Sequence, residues 1–333
     1  MDMLDCLRRF TRIASIFQFA AFACVGGCML NTSGYLRAAS DTAPVSATID
    51  TGQHLGGGAN LSPDGHLLVY VAADGLHLRN LATNKDTLLQ REVEFGNAVF
   101  DSPMFTPNGK QVLVSVSGGT WYYPSDIYSI GIDGSGPIKL TTSTPTASED
   151  RGAAYRQYFC SAMMSPKSSD ILVWVYDAVD SKSNSGIIEG RSVDHFGLVH
   201  GPVKVIAQGE PLAWSNDAHS FYLTSGNKVI KYYVGSRETT ESVIRGKVVG
   251  KIYSSETLAI DDGKRIYFVD MDSGRDVARN VVFPRSEFVA TKTSSREEIT
   301  LKSMQSIATG LTLLIYRGQT TERLELLKAD FSR

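Results

Sequence analysis

The chain has little of what builds metal centres or disulfide frameworks, and it has no block of positive charge. Its 333 residues include four cysteines and six histidines. The histidines show no His-x-His or His-x-x-x-His spacing, so we expect no zinc site and no bound cofactor. With 33 basic and 35 acidic residues the formal net charge is −2. This balance excludes the basic surface that nucleic-acid binding requires, so we predict no nucleic-acid partner.

Common enzyme motifs are missing as well. No Gly-x-Ser-x-Gly nucleophile elbow is present. The run Gly56-Gly57-Gly58 precedes a strand pattern, whereas a phosphate-binding loop precedes a helix. Asp261-Asp262-Gly263 lacks the spacing of a calcium loop and predicts a hairpin turn. We therefore predict no catalytic residue and no metal ligand, although a catalytic function stays open as an alternative.

Residues 1–27 have the composition of a signal peptide. Three arginines precede an apolar run at residues 13–25, which is shorter than the ~20 residues a membrane-spanning helix needs. The segment Val25-Gly26-Gly27-Cys28 resembles a bacterial lipobox. That resemblance implies that Cys28 receives a diacylglycerol and becomes the first residue after processing. The alternative is an ordinary cleaved signal peptide with an incidental cysteine.

Cleavage before Cys28 would remove Cys6 and Cys24 and would leave Cys160 as the one unmodified cysteine. An intramolecular disulfide is then excluded. Cys160 lies in an apolar context, which favours a buried core residue over a nucleophile. Residues 28–47 are rich in Ser, Thr, Ala and Asp and predict a flexible tether, so residues 48–333 form the folded body.

A recurring turn motif organises this body. Ser62-Pro63-Asp64-Gly65 precedes the apolar run at residues 67–70, and Thr106-Pro107-Asn108-Gly109 precedes another at 112–114. Weaker copies begin at Ser165 and Ser215, so that positions 62, 106, 165 and 215 lie 44, 59 and 50 residues apart. Repeats of ~40–50 residues are typical of β-propeller blades.

The second repeat predicts four short strands at residues 103–106, 111–117, 126–132 and 138–141. The same template fits residues 57–90, 158–207, 210–246, 248–281 and 284–331. We therefore predict an all-β fold, a six-bladed β-propeller of four-stranded antiparallel blades. The segment 46–50 is expected to complete the last blade as an N-terminal strand.

These turns, the stretch at residues 127–134 and the ending Ile138-Lys139-Leu140-Thr141 resemble the repeats of the TolB-like six-bladed propeller family, which are also called PD40 or WD40-like repeats. The resemblance covers residues 57–141 well and the rest loosely. It implies a propeller fold and the periplasm as compartment, and it says less about a partner.

The longest insertions fall in loops that a propeller gathers on one face. Aromatic and charged side chains concentrate there, as in protein and glycan contacts. The candidate binding residues are Trp121, Tyr122, Tyr123, Asp150, Arg151, Tyr155 and Arg156. Alternatively, Trp121 and Tyr122 cover the top of their blade and the charged residues are merely solvated.

Two functions follow as hypotheses. The first is a non-enzymatic lipoprotein that faces the periplasm, is held to the membrane by the Cys28 lipid alone, and binds an envelope protein through its loop-rich face. Because Met29 and not Asp follows the cysteine, the lipobox resemblance implies the outer membrane. The alternative is a carbohydrate-binding protein, or a sugar or lactone hydrolase or lyase, that uses the axial pocket. A glycan is then the partner.

The lipid prediction is tested by the mass of the processed N-terminal peptide from bacterial membranes. We expect this peptide to begin at Cys28 and to carry acyl chains, and Cys28→Ser to release the protein from the membrane fraction. An N-terminal peptide without acyl chains would contradict the prediction.

Overall fold

The computed structural model describes residues 47–50, 58–95, 98–118, 125–143, 157–177, 182–188, 203–252, 257–262, 264–272, 283–284, 304–307, 310–315 and 323–329. These residues form β-strands, turns and one short 3-10 helix, Glu92–Phe95. No helix among them is long and apolar enough to cross a membrane.

Within the described segments, strand follows strand along the chain and no regular α-helix occurs. The first thirteen are β1 (Ala47–Asp50), β2 (Ala59–Leu61), β3 (Leu67–Ala72), β4 (Gly75–Asn80), β5 (Asp86–Arg91), β6 (Val99–Phe105), β7 (Gln111–Ser117), β8 (Ser125–Gly131), β9 (Ile138–Lys139), β10 (Gln157–Met164), β11 (Ile171–Asp177), β12 (Lys182–Ile188) and β13 (Val203–Gln208). The others are β14 (Glu210–Trp214), β15 (Ser220–Ser225), β16 (Lys228–Tyr233), β17 (Thr239–Val243), β18 (Lys247–Ile252), β19 (Thr257–Asp261), β20 (Arg265–Asp270), β21 (Phe283–Pro284), β22 (Met304–Ile307), β23 (Gly310–Ile315) and β24 (Arg323–Ala329).

Four sheets of four strands each follow the predicted repeats. They have the orders β2-β3-β4-β5, β6-β7-β8-β9, β10-β11-β12-β13 and β14-β15-β16-β17, and we number them one to four. The strand pairs of the first three sheets are antiparallel, and so is the pair β14 and β15 of the fourth. Neighbours along the chain are thus neighbours in the sheet, as short hairpin connections require.

The chain forms two compact units. One comprises Leu55–Gly226 and Ile230–Thr239, and it contains the first three sheets and most of the fourth. The other comprises Met1–His54, Asn227–Val229 and Thr240–Arg333. The strands of this second unit join a sheet of order β1-β24-β23-β22-β18-β19-β20-β21.

That sheet consists of two groups of four strands, joined by a short parallel ladder between β18 and β22. The N-terminal strand β1 pairs antiparallel with β24, from Ala47 opposite Leu326 to Asp50 opposite Arg323. The prediction that the N-terminal strand completes the last group of strands is therefore confirmed. The count of six blades stays a prediction.

The two central sheets, the second and the third, are each buried on both faces. On β7, Val112, Val114 and Val116 pack with the first sheet, while Leu113 packs with the third. On β11, Val173 packs toward the second sheet and Leu172 toward the fourth. Because side chains alternate across a strand, a continuous apolar run supplies two different cores.

Buried side-chain hydrogen bonds link each sheet to the next. They run from Phe105 N to Asn60 Oδ1 at 3.0 Å, from Ser115 Oγ to Phe159 O at 2.7 Å, and from Trp214 Nε1 to Met163 O at 3.0 Å. All three reach a first strand, β6 or β10. Because hydrogen bonds are directional, they fix the orientation of these first strands relative to the neighbouring sheets, in addition to the packing of side chains.

The repeated turns share one hydrogen-bond pattern. Ser62 Oγ donates to Asp64 Oδ1 at 2.5 Å, and the same hydroxyl accepts from Leu67 N at 2.8 Å. The Ser62 hydroxyl, and next the amide of His66, hold the pKa of Asp64 below its ordinary value. Thr106 with Asn108, and Ser215 with Asp217, repeat the pattern at 2.8 and 2.6 Å. The turn motif therefore encodes a hairpin that one buried hydroxyl holds closed.

The structure corrects two strand boundaries in the second sheet. Strand β6 begins at Val99, before the predicted residue 103, because a bulge between Asp101 and Met104 interrupts its alternation. Strand β9 ends at Lys139, before the predicted residue 141. There, the side-chain oxygen of Thr141 accepts from Ile127 N at 2.9 Å and takes the place of a backbone bond.

The fourth copy of the turn carries a strained alanine, which gives a stability prediction. Gly65 and Gly109 have φ of 72° and 68°, and Ala218 holds the same position with φ of 64°. A left-handed residue with a Cβ costs roughly 1–2 kcal/mol, and glycine loses about 0.5–1 kcal/mol more in backbone entropy on folding. We expect Ala218→Gly to raise the free energy of unfolding by about 0.5 kcal/mol in urea titrations. Ala82→Gly, at a turn residue whose own φ is not positive, should lower it, and a loss at both positions would contradict this explanation.

Candidate functional site

The sequence-predicted site residues all lie outside the described residues. They are Cys28, Trp121, Tyr122, Tyr123, Asp150, Arg151, Tyr155 and Arg156. The structure does describe the strand ends from which the two loop segments start. These binding and lipidation assignments therefore stay predictions.

Both predicted loop segments leave the same edge of the second sheet. Residues 119–124 connect the end of β7 to the start of β8, where Ser117 pairs with Ser125. Residues 144–156 follow Ser143, and Ser143 N donates to the carboxylate of Asp126, the second residue of β8. The bases of the two segments are thus in direct contact.

Asp126 is the centre of this contact. Its side chain is 5% exposed. Oδ1 accepts from Thr141 Oγ1 at 2.9 Å and from Ser143 N at 2.8 Å. Oδ2 accepts from Ser143 Oγ at 3.1 Å and lies 2.8 Å from Lys139 Nζ. A carboxylate with this many partners is held in one orientation, so the start of β8 and the end of the fourth strand act as one rigid base.

A second carboxylate, Asp101, lies in the bulge of β6. It is half-buried and pairs with Ser115 on the face of the second sheet that packs on the third. Ser102 Oγ donates to Asp101 Oδ1 at 3.1 Å. Burial raises the pKa of Asp101 to about 7, and the hydrogen bonds from Ser102 offset only part of that effect. No cationic side chain among the described residues forms an ion pair with it.

A third polar cluster covers the other face of the first sheet. Asp86 accepts from the hydroxyl of Tyr70, from Arg79 Nε at 2.8 Å, and contacts His77 Nδ1 at 3.0 Å. His77 Nε2 lies 2.7 Å from Asp74 Oδ1, and its ring stacks on Tyr70. Burial raises the pKa of Asp86, but its hydrogen bonds and Arg79 outweigh this and hold the pKa below the ordinary value. This cluster ties β5 to β3 and β4, which is a structural role.

Sequence reasoning missed Asp101 and Asp126. Asp126 stands at the start of an apolar strand pattern, and its partners Thr141 and Ser143 lie in a connection after the next strand. Asp101 precedes Ser102-Pro103, which resembles an ordinary loop in the sequence. The sequence does contain one signal for the bulge beside Asp101. Ser102 stands four residues before Thr106, and in the first repeat Gly58 stands four residues before Ser62, so Ser102 occupies the position of a glycine.

Comparison with known proteins supports the fold. No protein-family model matches the chain, and no curated protein matches it. A puromycin-hydrolysing peptidase from Mycobacterium tuberculosis has a TM-score of 0.50 and 13% identity, over 79% of this chain and 43% of the peptidase. TolB from Acinetobacter baumannii has a TM-score of 0.43 and 12% identity, over 82% of this chain and 63% of TolB. A protein described as TolB from Agrobacterium tumefaciens has 0.45 and 15%, over 72% and 76%.

The chain therefore has the all-β propeller class of fold. The repeated four-stranded antiparallel sheets carry this conclusion, and the peptidase match agrees with it. The propeller fold predicted from the turn motifs is confirmed by these sheets, and two TolB structures are among the solved structures similar to the chain. Because the chain spans 63% of one TolB and 43% of the peptidase, activities of those longer proteins are not carried over.

Removing the Asp126 charge should loosen both loop bases. We expect Asp126→Asn to lower the free energy of unfolding by about 1–3 kcal/mol, because the amide nitrogen that replaces Oδ2 cannot accept from Ser143 Oγ or from Lys139 Nζ. Limited proteolysis with mass spectrometry should show faster cleavage within residues 144–156. Asp133→Asn is the control, since Asp133 lies exposed in the turn after β8 and the amide oxygen still accepts from Ser135 N. Equal cleavage of wild type and Asp126→Asn would contradict the anchoring role.

The pKa of Asp101 makes stability depend on pH. The folded protein keeps the proton on Asp101 up to about pH 7, whereas the unfolded chain releases it near the ordinary value of 3.8. Stability falls as pH rises between these values, by up to ~1.4 kcal/mol per unit, and then levels off. We expect Asp101→Asn to gain stability over wild type in urea titrations between pH 5 and pH 8. A constant difference between the two proteins across this range would contradict the shift.

Proposed function

We propose that the protein is a non-enzymatic propeller lipoprotein of the bacterial envelope that binds a protein partner through the loops at one edge of its second sheet. The observation that carries this proposal is the Asp126 anchor, which joins the bases of the segments 119–124 and 144–156. A rigid base beneath variable loops is how β-scaffolds present recognition surfaces.

The composition of the two segments favours a protein partner. Trp121, Tyr122 and Tyr123 stand in the first segment, and Arg151, Tyr155 and Arg156 in the second. Trp, Tyr and Arg are the residues that dominate binding energy at protein interfaces. A basic surface for nucleic acid is absent from the composition.

The membrane part of the proposal rests on the sequence. Cys28 would carry the lipid, and residues 28–47 would span on the order of 20–25 Å as a flexible tether. The propeller would then face the periplasm from the outer membrane, within reach of other envelope proteins. Hydrolysis, the reaction of the similar peptidase, is not proposed for this chain, since it contains no Gly-x-Ser-x-Gly elbow.

The experiment is an affinity isolation from detergent-solubilised membranes of cells that express the tagged full chain. We expect at least one envelope protein to be recovered with wild type and reduced about tenfold or more with Trp121→Ala/Tyr122→Ala, since interface aromatics cost ~2 kcal/mol or more when truncated. Tyr233→Ala, on a strand of the fourth sheet, is the matched aromatic control. Equal recovery of every co-isolated protein from wild type and the double variant would contradict the proposal that these loops form the binding surface.

A further inference from the structure

We propose that Asp101 anchors a binding site for a small organic cation, a primary ammonium group, between the second and third sheets. The site adjoins the base of the proposed loop surface at Ser117 and Ser125, but it uses no residue of that surface. It uses residues of β6, β7 and β8 that the structure describes.

The position of Asp101 is the first argument. Asp101 pairs with Ser115, and Ser115 Oγ donates to Phe159 O of β10 at 2.7 Å. The carboxylate therefore lies on the side of β6 that faces β10, while Phe100 faces the first sheet. Bulges of this kind re-aim a side chain and are over-represented beside functional sites.

The backbone beside it is strained. Ser102 has φ of 50°, and the corresponding residue of the first sheet is Gly58 with φ of 91°. A non-glycine residue in this region costs of order 1 kcal/mol or more and persists where its surroundings require it. Here the hydroxyl of Ser102 donates to Asp101, so the strained residue helps to orient the carboxylate.

The charge of Asp101 is not balanced by another described residue. Asp86 pairs with Arg79, and Asp126 pairs with Lys139, whereas no described cation pairs with Asp101. Even partial burial of a carboxylate without a cation is destabilising unless the carboxylate takes up a proton or a positive ligand. The raised pKa of Asp101, about 7, reflects this imbalance.

Hydroxyl groups continue from Asp101 toward solvent. The next row of cross-strand partners is Val99, Ser117 and Ser125. Val99 is 46% exposed and Ser117 is half-buried, so both of these residues reach solvent. Ser125 Oγ is buried and has no hydrogen-bond partner among the described residues. An unpaired hydroxyl accepts a hydrogen bond as readily as it donates one.

This set of groups selects the ligand chemistry. A primary ammonium cancels the carboxylate charge and donates up to three hydrogen bonds, the first of them to Asp101. An anion would meet an unbalanced negative charge. A neutral polyol would find hydroxyl partners but would leave the charge of Asp101 in place.

The experiment compares 1,4-diaminobutane with 1,4-butanediol, which has the same length without the charge, by isothermal titration calorimetry on the full folded protein. Glucose is a third probe for a polyol site. We expect 1,4-diaminobutane to bind at pH 8 and the two neutral probes not to bind. Because protons compete for Asp101, the affinity should fall about 30-fold between pH 8 and pH 5.5.

Asp101→Asn should abolish binding, while Asp133→Asn, with the same change of charge at an exposed site, should retain it. Asp101→Asn is expected to be at least as stable as wild type at pH 8, so lost binding would not reflect unfolding. Binding of 1,4-diaminobutane that survives Asp101→Asn, equal binding of the diol, binding of glucose alone, or no binding of the diamine to the folded protein would each overturn the proposal.

Discussion

Burial of both faces of each central sheet is the constraint on which the rest of this structure depends. A four-stranded sheet whose strands are apolar on both sides is stable in water only between two neighbours. Leu113 and Val114 are consecutive residues of β7, yet they enter different cores. The sequence of a single strand therefore specifies packing on two neighbouring sheets. The bond that Asn60 accepts, and those that Ser115 and Trp214 donate, also fix the orientation of the sheets.

The same packing decides how charges behave. Near the sheet edges, carboxylates find partners in turns or cations, as Asp64 does with Ser62 and Asp126 does with Lys139. Where a bulge carries a carboxylate toward the next sheet, as at Asp101, the adjacent Ser102 donates to it but no cation among the described residues pairs with it. The degree of desolvation thus determines the role of each carboxylate. Those near the sheet edges stabilise the fold, whereas the one between the sheets forms the proposed ligand site.

Sequence patterns predicted the parts of the fold that local chemistry determines. The turns at Ser62, Thr106 and Ser215 use bonds within six residues, so their sequence specifies them. The N-terminal strand and the four-strand repeat followed from periodicity and spacing. The Asp126 anchor and the Asp101 bulge escaped prediction because their partners come from other strands, or because a bulge breaks the alternation that defines a strand. The loop residues from Trp121 to Arg156 stay predictions.

Two adjacent substitutions test the two-sided burial most directly. Leu113→Ala and Val114→Ala change neighbouring residues of β7 that lie on opposite faces. The free energy of unfolding, measured for each by urea titration, should fall by at least about 2 kcal/mol for Leu113→Ala and about 1.5 kcal/mol for Val114→Ala. If either variant unfolds like wild type, one face of the second sheet is exposed, and the stacked arrangement of sheets is wrong.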